Sequence, residues 1–259
     1  RSSDGTITTQ FVMTTIEELG LLKMDFLGLR TLTVISDAVK LVEKNHGIKI
    51  NVDNIDYNDK KVLDSIGTGR CDGVFQLESA GMKNFMKELK PQSLEDIIAG
   101  ISLYRPGPMD FIPQYIKGKN NPESVTYDTP LLKPILEPTY GCIVYQEQVM
   151  LISVEMCGFS KGESDSRIRK PVAKKKIKLL TSTVLHWEDG SDETTYDHWM
   201  NGAIKNNYTR EVAQKIWDDV LEFASYAFNK SHSAGYAILV MQTAWLKAHY
   251  PHEYMAAVL

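Results

Sequence analysis

Cysteine is scarce. Only Cys71, Cys142 and Cys157 occur in 259 residues, far apart and out of any metal-ligand spacing. That excludes a disulfide scaffold and a cysteine-built zinc site, and fits buried free thiols in a reducing compartment. Histidine is just as dispersed: His46, His186, His198, His249 and His252 show no metal-ligand spacing, and His232 has no carboxylate or thiol beside it for a nucleophilic triad. No apolar run approaches the length of a bilayer span and no secretory signal opens the chain, so no membrane role is expected. Positive charge in excess is missing too. A formal net charge of −4 excludes a uniformly basic nucleic-acid binder, so such contacts would have to come from a local patch. Internal repeats and low-complexity segments are absent, and an initiator Met is absent as well. The chain opens at Arg1 and stops at Leu259 just after a helical run, and it reads as a piece of a longer protein.

What is present has the composition of a soluble globular chain, 43% hydrophobic and 24% charged, long enough for one large domain or two smaller ones. Residues 6–12 and 20–29 read as strands. A helix starts at Thr31 with Leu32, Ile35, Val39 and Val42 on one stripe, and Gly47 ends it. Asp59 is placed to cap a helix through Ile66, and Ser93 another through Ile101 that must end before Pro106 and Pro108. Residues 120–139 are loop-like. Helices follow at 146–157, closed by Gly158, from Thr209 through Phe223, and at 234–250 before Pro251. Between them, residues 186–202 (HWEDGSDETTYDHWMNG) are acidic and aromatic and read as an excursion from the core. The expected architecture is mainly α, a small β piece feeding a predominantly helical domain.

Several stretches carry candidate chemistry. In GLLKMDFLGL, residues 20–29, alternation sends Leu22, Met24 and Phe26 one way and Lys23 and Asp25 the other. A carboxylate in that partly apolar setting needs a cation, a metal or hydrogen-bond donors, or else it is a strand edge reaching water. The run RIRKPVAKKKIK, residues 167–178, holds Arg167, Arg169, Lys170, Lys174, Lys175, Lys176 and Lys178 without one acid. It is either a solvated surface segment or a phosphate-binding patch, and Pro171 is expected to break any continuous helix there. Arg105 in SLYRPGPM is either held in fixed aim beside a rigid turn or packed on Tyr104. The polar group Tyr145, Gln146, Glu147 and Gln148 either bonds within the core or meets a substrate. Asn229, Lys230, Ser231 and His232 in FNKSHSAGYA form a helix start that is either simply capped or receives a phosphate.

The wording of these stretches resembles the C-family bacterial replicative DNA polymerases, the alpha subunits of DNA polymerase III, along essentially the whole chain. KMDFLGL, SLYRPGPM, EPTYGCIVYQEQVM, GFSKGESD with its basic run, FQLES and FNKSHSAGYA all follow the family's pattern. The resemblance implies that residues 1–30 end a nucleotidyltransferase-like palm and residues 31–259 form most of a helical fingers domain, with 185–203 as the excursion. It makes Asp25 the third of three catalytic carboxylates and a ligand of two magnesium ions, its partner aspartates lying in a D-x-D motif that this chain lacks, as it lacks the family's Gly-Ser motif. Arg105, Arg169, Lys170, Lys174, Lys175, Lys230 and His232 would meet the nucleotide phosphates, and Arg167, Lys176 and Lys178 the DNA. Departures fall in the basic run: Lys170 stands for a second Arg, Pro171, Val172 and Ala173 replace A-M-G, and one extra residue precedes Arg169. The implied reaction is template-directed addition of a deoxynucleotide (from a dNTP) to the primer 3′ end of primer–template DNA by two-metal phosphoryl transfer. The implied partners include a sliding clamp and other replisome subunits, in the bacterial cytoplasm at the nucleoid. With a single carboxylate of the metal site, this piece alone is expected not to polymerise. The alternatives are a non-catalytic nucleic-acid-binding helical domain using residues 167–178, and an interaction scaffold docking through residues 186–202.

Overall fold

The structure, a computed structural model, describes residues 1–22, 24, 28–173, 176–224, 226 and 228–259. At its start the strand expected over residues 6–12 does not form. Asp4 Oδ1 accepts from the Thr6 N–H at 3.1 Å and the Ser2 N–H donates to Thr6 O at 3.0 Å, a side-chain-assisted turn that competes with extended pairing. No partner strand lies alongside it among the described residues. The short helix α1 (Met13–Glu18) follows and buries nothing, and Ile7, Phe11, Val12, Leu22 and Met24 remain largely exposed. The strand expected over residues 20–29 turns on Lys23, Asp25, Phe26 and Leu27, which lie outside the described residues.

Beyond this the chain is helical, and local chemistry sets most boundaries. Helix α2 (Arg30–His46) ends where Gly47 adopts φ 68°, and it buries Ile35, Ala38 and Val42 while Leu32 faces out. In α3 (Lys60–Gly67) the Asp59 carboxylate accepts from the Lys61 and Val62 N–H groups. Ser79 caps α4 (Ala80–Leu89) and Ser93 caps α5 (Leu94–Leu103), each accepting from an N–H three residues on. Helix α6 (Ile112–Asn120) precedes the stretch read as a loop, which in fact holds the short α7 (Leu132–Leu136). Helix α8 (Gln146–Cys157) stops at Gly158, φ 77°.

The basic run departs from expectation. Helix α9 (Lys161–Glu163), a π-helical turn over Ser164–Arg169 and α10 (Lys170–Ala173) run on without interruption, and Pro171 sits inside them. Proline lacks an N–H and crowds the carbonyl four residues back. The wider turn just before it takes up that misfit, so the chain widens rather than breaks. Helix α11 (Lys178–Ser182) leads to the one sheet among the described residues, β1 (Val184–His186) antiparallel to β2 (Asp192–Thr194), with Leu185 opposite Glu193. Among the described residues the β structure lies late in the chain.

Helix α12 (Thr195–Lys205) corrects the reading of residues 186–202 as an excursion. Trp187 and Trp199 are among the most deeply buried side chains, and His198 stacks on Trp187 at 3.8 Å between ring centroids. Glu188, Asp189, Asp192 and Asp197 are exposed between them, while both indoles point inward and Glu193 bonds His198. Trp187 Nε1 donates to Glu193 O and Trp199 Nε1 to Ala213 O, so neither indole is buried unpaired. Helices α13 (Arg210–Ala224), α14 (Lys230–His249) and α15 (Pro251–Val258) complete the chain. Among the described residues no helix is long and apolar enough to cross a membrane.

Buried side chains gather in two large cores and a smaller one. The first joins α3, α4, α5, α6 and α14 around Ile66, Met86, Ile97 and Val240. The second joins α7, α8, α12 and α13 around Ile152, Trp199 and Trp217, and the third sets α2 against α14 and α15. An extended segment before α8 runs between the two large cores: Cys142 and Val144 enter the first and Ile143 the second, the alternation of a strand buried on both faces. It pairs in parallel with Phe228, whose N–H donates to Val144 O and whose carbonyl accepts from the Gln146 N–H, both at 3.0 Å.

Candidate functional site

That pairing sets the first turns of α8 and α14 side by side, at the junction of the two cores. Gln148 secures the α8 end. Its Oε1 accepts from the Val144 and Tyr145 N–H groups at 2.8 and 3.0 Å, and its Nε2 donates to Ile135 O and Thr139 Oγ1. For Gln148 the core role therefore holds. Glu147 faces the other way, and both its carboxylate oxygens accept from the Lys230 N–H at 3.1 Å. Asn229 Oδ1 accepts from the His232 N–H at 2.9 Å. The N-terminus of α14 is thereby capped by the protein's own side chains, a carboxylate standing where its dipole favours negative charge. The Lys230 ammonium is engaged as well, 3.0 Å from Glu95 Oε2 and 5.2 Å from the centre of the Tyr145 ring.

Arg105 reaches this junction from the turn after α5. Gly107, at φ 100°, makes that turn possible, and any side chain there would overlap the Tyr226 ring. The guanidinium lies over the Phe228 ring at 4.0 Å and donates from Nη2 to Tyr226 O at 2.9 Å and from Nε to Ser102 O at 3.0 Å. Half-buried, its pKa is drawn down by desolvation, yet an arginine remains charged at any ordinary pH. It does not pack on Tyr104, which stacks on Phe85 instead. His232, exposed, also lies against the Phe228 ring, edge-on at 5.4 Å and close to Tyr236.

Arg169 comes in from the π turn. It bonds Asp165 through Nε, and its Nη1 lies 3.5 Å from Gln146 Oε1 in the first turn of α8. Lys170 Nζ lies 2.9 Å from the second Asp165 oxygen. Hydrogen bonds from Arg169, then from Lys170, hold the Asp165 carboxyl down at about 2. The fold thus brings Arg105, Arg169, Lys230 and His232 to one junction from three distant parts of the sequence, with Lys170 joined to it through Asp165.

Other residues singled out in the sequence lie elsewhere. Arg167 turns away from Arg169, donating to His186 O at 3.1 Å with its guanidinium 5.5 Å from the Trp187 ring, so it braces the second core's surface. Lys176 and Lys178 are exposed beyond the π turn. Lys174, Lys175 and Asp25 lie outside the described residues. Among the described residues no group of three or more His, Cys, Asp or Glu side chains is placed to hold a metal. Sequence reasoning passed over two participants, Asp165 and Phe228. The spacing of Asp165 four residues before Arg169 was a usable signal, whereas Phe228 acquires its role only through pairing with a distant segment.

Fold and site together define a helical domain that gathers cationic side chains where two cores meet. Comparison with known proteins places it further. The model of the bacterial DNA polymerase III alpha subunit finger domain matches residues 31–194. The chain is 46% identical over 250 residues to DNA polymerase III subunit alpha of Halalkalibacterium halodurans, covering 96% of this chain and 21% of that protein. It is 45% identical over 258 residues to the Aquifex aeolicus subunit, covering 99% of this chain and 21% of the relative. It is 43% identical over 264 residues to that of Thermus aquaticus, covering 100% and 21%. The chain belongs to the DNA polymerase III alpha subunit finger-domain family, and it spans about a fifth of the length of these relatives.

Proposed function

We propose that this chain is the fingers, with the end of the palm, of a replicative DNA polymerase, and that its junction of α8, α14 and the π turn receives the triphosphate of the incoming deoxynucleotide. One observation carries this reading: Arg105, Arg169 and His232, scattered in sequence, converge on the paired Gln146 and Phe228, with Lys170 joined to Arg169 through Asp165. Arg169 and His232 are the groups that face the ligand. Arg105 clamps the segment bearing His232, and Lys230 holds Glu95. Lys174 and Lys175 add to the charge that meets the nucleotide phosphates, and Lys176, Lys178 and, at the edge, Arg167 belong to a path for the primer–template backbone. The finger-domain match begins at residue 31, which supports a palm portion at 1–30. α14 packs into the first core, which supports counting the remainder with the fingers.

In this reading the reaction is transfer of a deoxynucleoside monophosphate to a primer 3′-hydroxyl, in the bacterial cytoplasm, with sliding clamp and other replisome proteins as partners of the whole subunit. Magnesium, held by Asp25 with carboxylates outside this chain, would supply Lewis-acid charge stabilisation. The residues described here contribute phosphate neutralisation and orientation.

The test is single-nucleotide incorporation by the complete subunit. Removing a charge-assisted contact worth roughly 1.5–3 kcal/mol, Arg169→Ala should raise the nucleotide KM about 10- to 100-fold without weakening primer–template binding. Arg167→Ala should leave that KM unchanged. A KM unaltered by Arg169→Ala would refute the assignment.

A further inference from the structure

Asp165 stands behind the cations on which this reading depends. Its carboxylate bonds the inner nitrogen of Arg169, Nε, and approaches Lys170 Nζ at 2.9 Å. Engagement at Nε fixes the plane of the guanidinium from the rear. The outer nitrogen Nη1 then points toward the first turn of α8, 3.5 Å from Gln146 Oε1.

The backbone makes this double contact possible. In an α-helix residue i+4 returns beside residue i, but residue i+5 lies about 140° round the axis. In a π turn, closed by i→i+5 bonds, the fourth and fifth residues fall on either side of the first. Asp165 lies within the π turn of Ser164–Arg169, so Arg169 at i+4 and Lys170 at i+5 both reach its carboxylate. Two adjacent cations repel each other, and one anion between them relieves that repulsion. The side chains of Asp165 and Arg169 keep 29% and 28% exposure, so the pair is formed at the surface rather than imposed by burial in a core.

We infer that Asp165 is a positioning residue: it holds Arg169, and Lys170 beside it, in the orientation that receives the phosphates of the nucleotide. The inference rests on the phosphate-binding reading of Arg169 given above. Its carboxylate is ionised throughout the range in which a polymerase is assayed, so the clasp is in place before the nucleotide arrives.

Steady-state single-nucleotide incorporation by the complete subunit tests it, with Asp165→Asn, Asp165→Glu, Arg169→Ala and the double variant Asp165→Asn/Arg169→Ala. Asp165→Asn should raise the nucleotide KM roughly tenfold with primer–template affinity unchanged, and Asp165→Glu should recover most of the loss. The double variant should be no worse than Arg169→Ala alone, because both act through one guanidinium. A lower KM in Asp165→Asn would overturn the proposal by showing that the carboxylate competes with phosphate. So would a fall in kcat alone, the mark of a structural lesion, or an additive double variant. If Arg169→Ala raises KM and Asp165→Asn does not, only the positioning role falls. If Arg169→Ala has no effect, the phosphate reading falls with it.

Discussion

Lys119 and Asp96 meet at 3.2 Å with side chains 6% and 4% exposed, and the same Asp96 oxygen accepts from the Gln92 N–H at 2.8 Å. Both side chains are nearly buried, so removing one leaves the other without its counter-charge. Lys119→Met is expected to cost about 3–5 kcal/mol, seen as a lower urea midpoint with an unchanged slope. A loss below about 1 kcal/mol would mean that the carboxylate is rescued by a proton or by solvent. Single residues also show where a sequence is legible. Asp59, Ser93, Gly47 and Gly158 were readable because a cap or a left-handed stop acts on its immediate neighbours. Glu147 was readable only as part of a polar cluster. Its bond to the Lys230 N–H joins positions 83 apart, and nothing local announces it.

At the scale of elements, α14 offers a direct test of capping against ligand binding. Asn229→Ala removes the acceptor for the His232 N–H and should cost about 1 kcal/mol. If that N–H also served a phosphate, the variant would bind nucleotide more tightly, as the donor becomes available. Unchanged nucleotide affinity with lowered stability is the expected result. The basic run makes a separate prediction. Lys174→Ala/Lys175→Ala/Lys176→Ala should flatten the log–log salt dependence of primer–template binding by roughly 0.9 for each phosphate that is no longer neutralised. An identical slope would confine the run to the nucleotide or to solvent. Elements also explain why two expectations failed. Residues 6–12 have the composition of a strand, but Ser2, Asp4 and Thr6 spend their hydrogen bonds on a turn. Residues 186–202 carry enough acid to look solvated, yet two tryptophans in them fill the second core. Charge marks one face of such a segment and hides the other. Trp199→Ala should accordingly cost about 3–5 kcal/mol, a size no exposed excursion would show.

Across the whole molecule, α2 is tied to α15 by Glu253, which accepts from Asn45 Nδ2 at 3.0 Å and lies 2.9 Å from His46 Nε2. The Asn45 hydrogen bond, the local backbone and His46 together bring its carboxyl from 4.5 down to about 2. A depressed carboxyl contributes stability that is full above the ordinary value and is lost as pH falls through the depressed one. Wild type should thus lose its advantage over Glu253→Gln between about pH 4.5 and 2, followed by thermal melts across that range. Two variants that stay parallel down to the lower limit would show that Glu253 does not titrate with folding. The mainly helical architecture was legible from periodicity and caps, and the gathering of Arg169, Arg105 and His232 was anticipated only through wording shared with a family. Periodicity could not give it, because the junction depends on the pairing of Val144 and Gln146 with Phe228 across distant parts of the chain. The extended segment before α8 has one more consequence. Cys142 and Val144 belong to one core and Ile143 to the other, so the segment works like a zip with different teeth on its two sides. One residue inserted there would present each core with the other's side chain, so a single change would disrupt two cores at once.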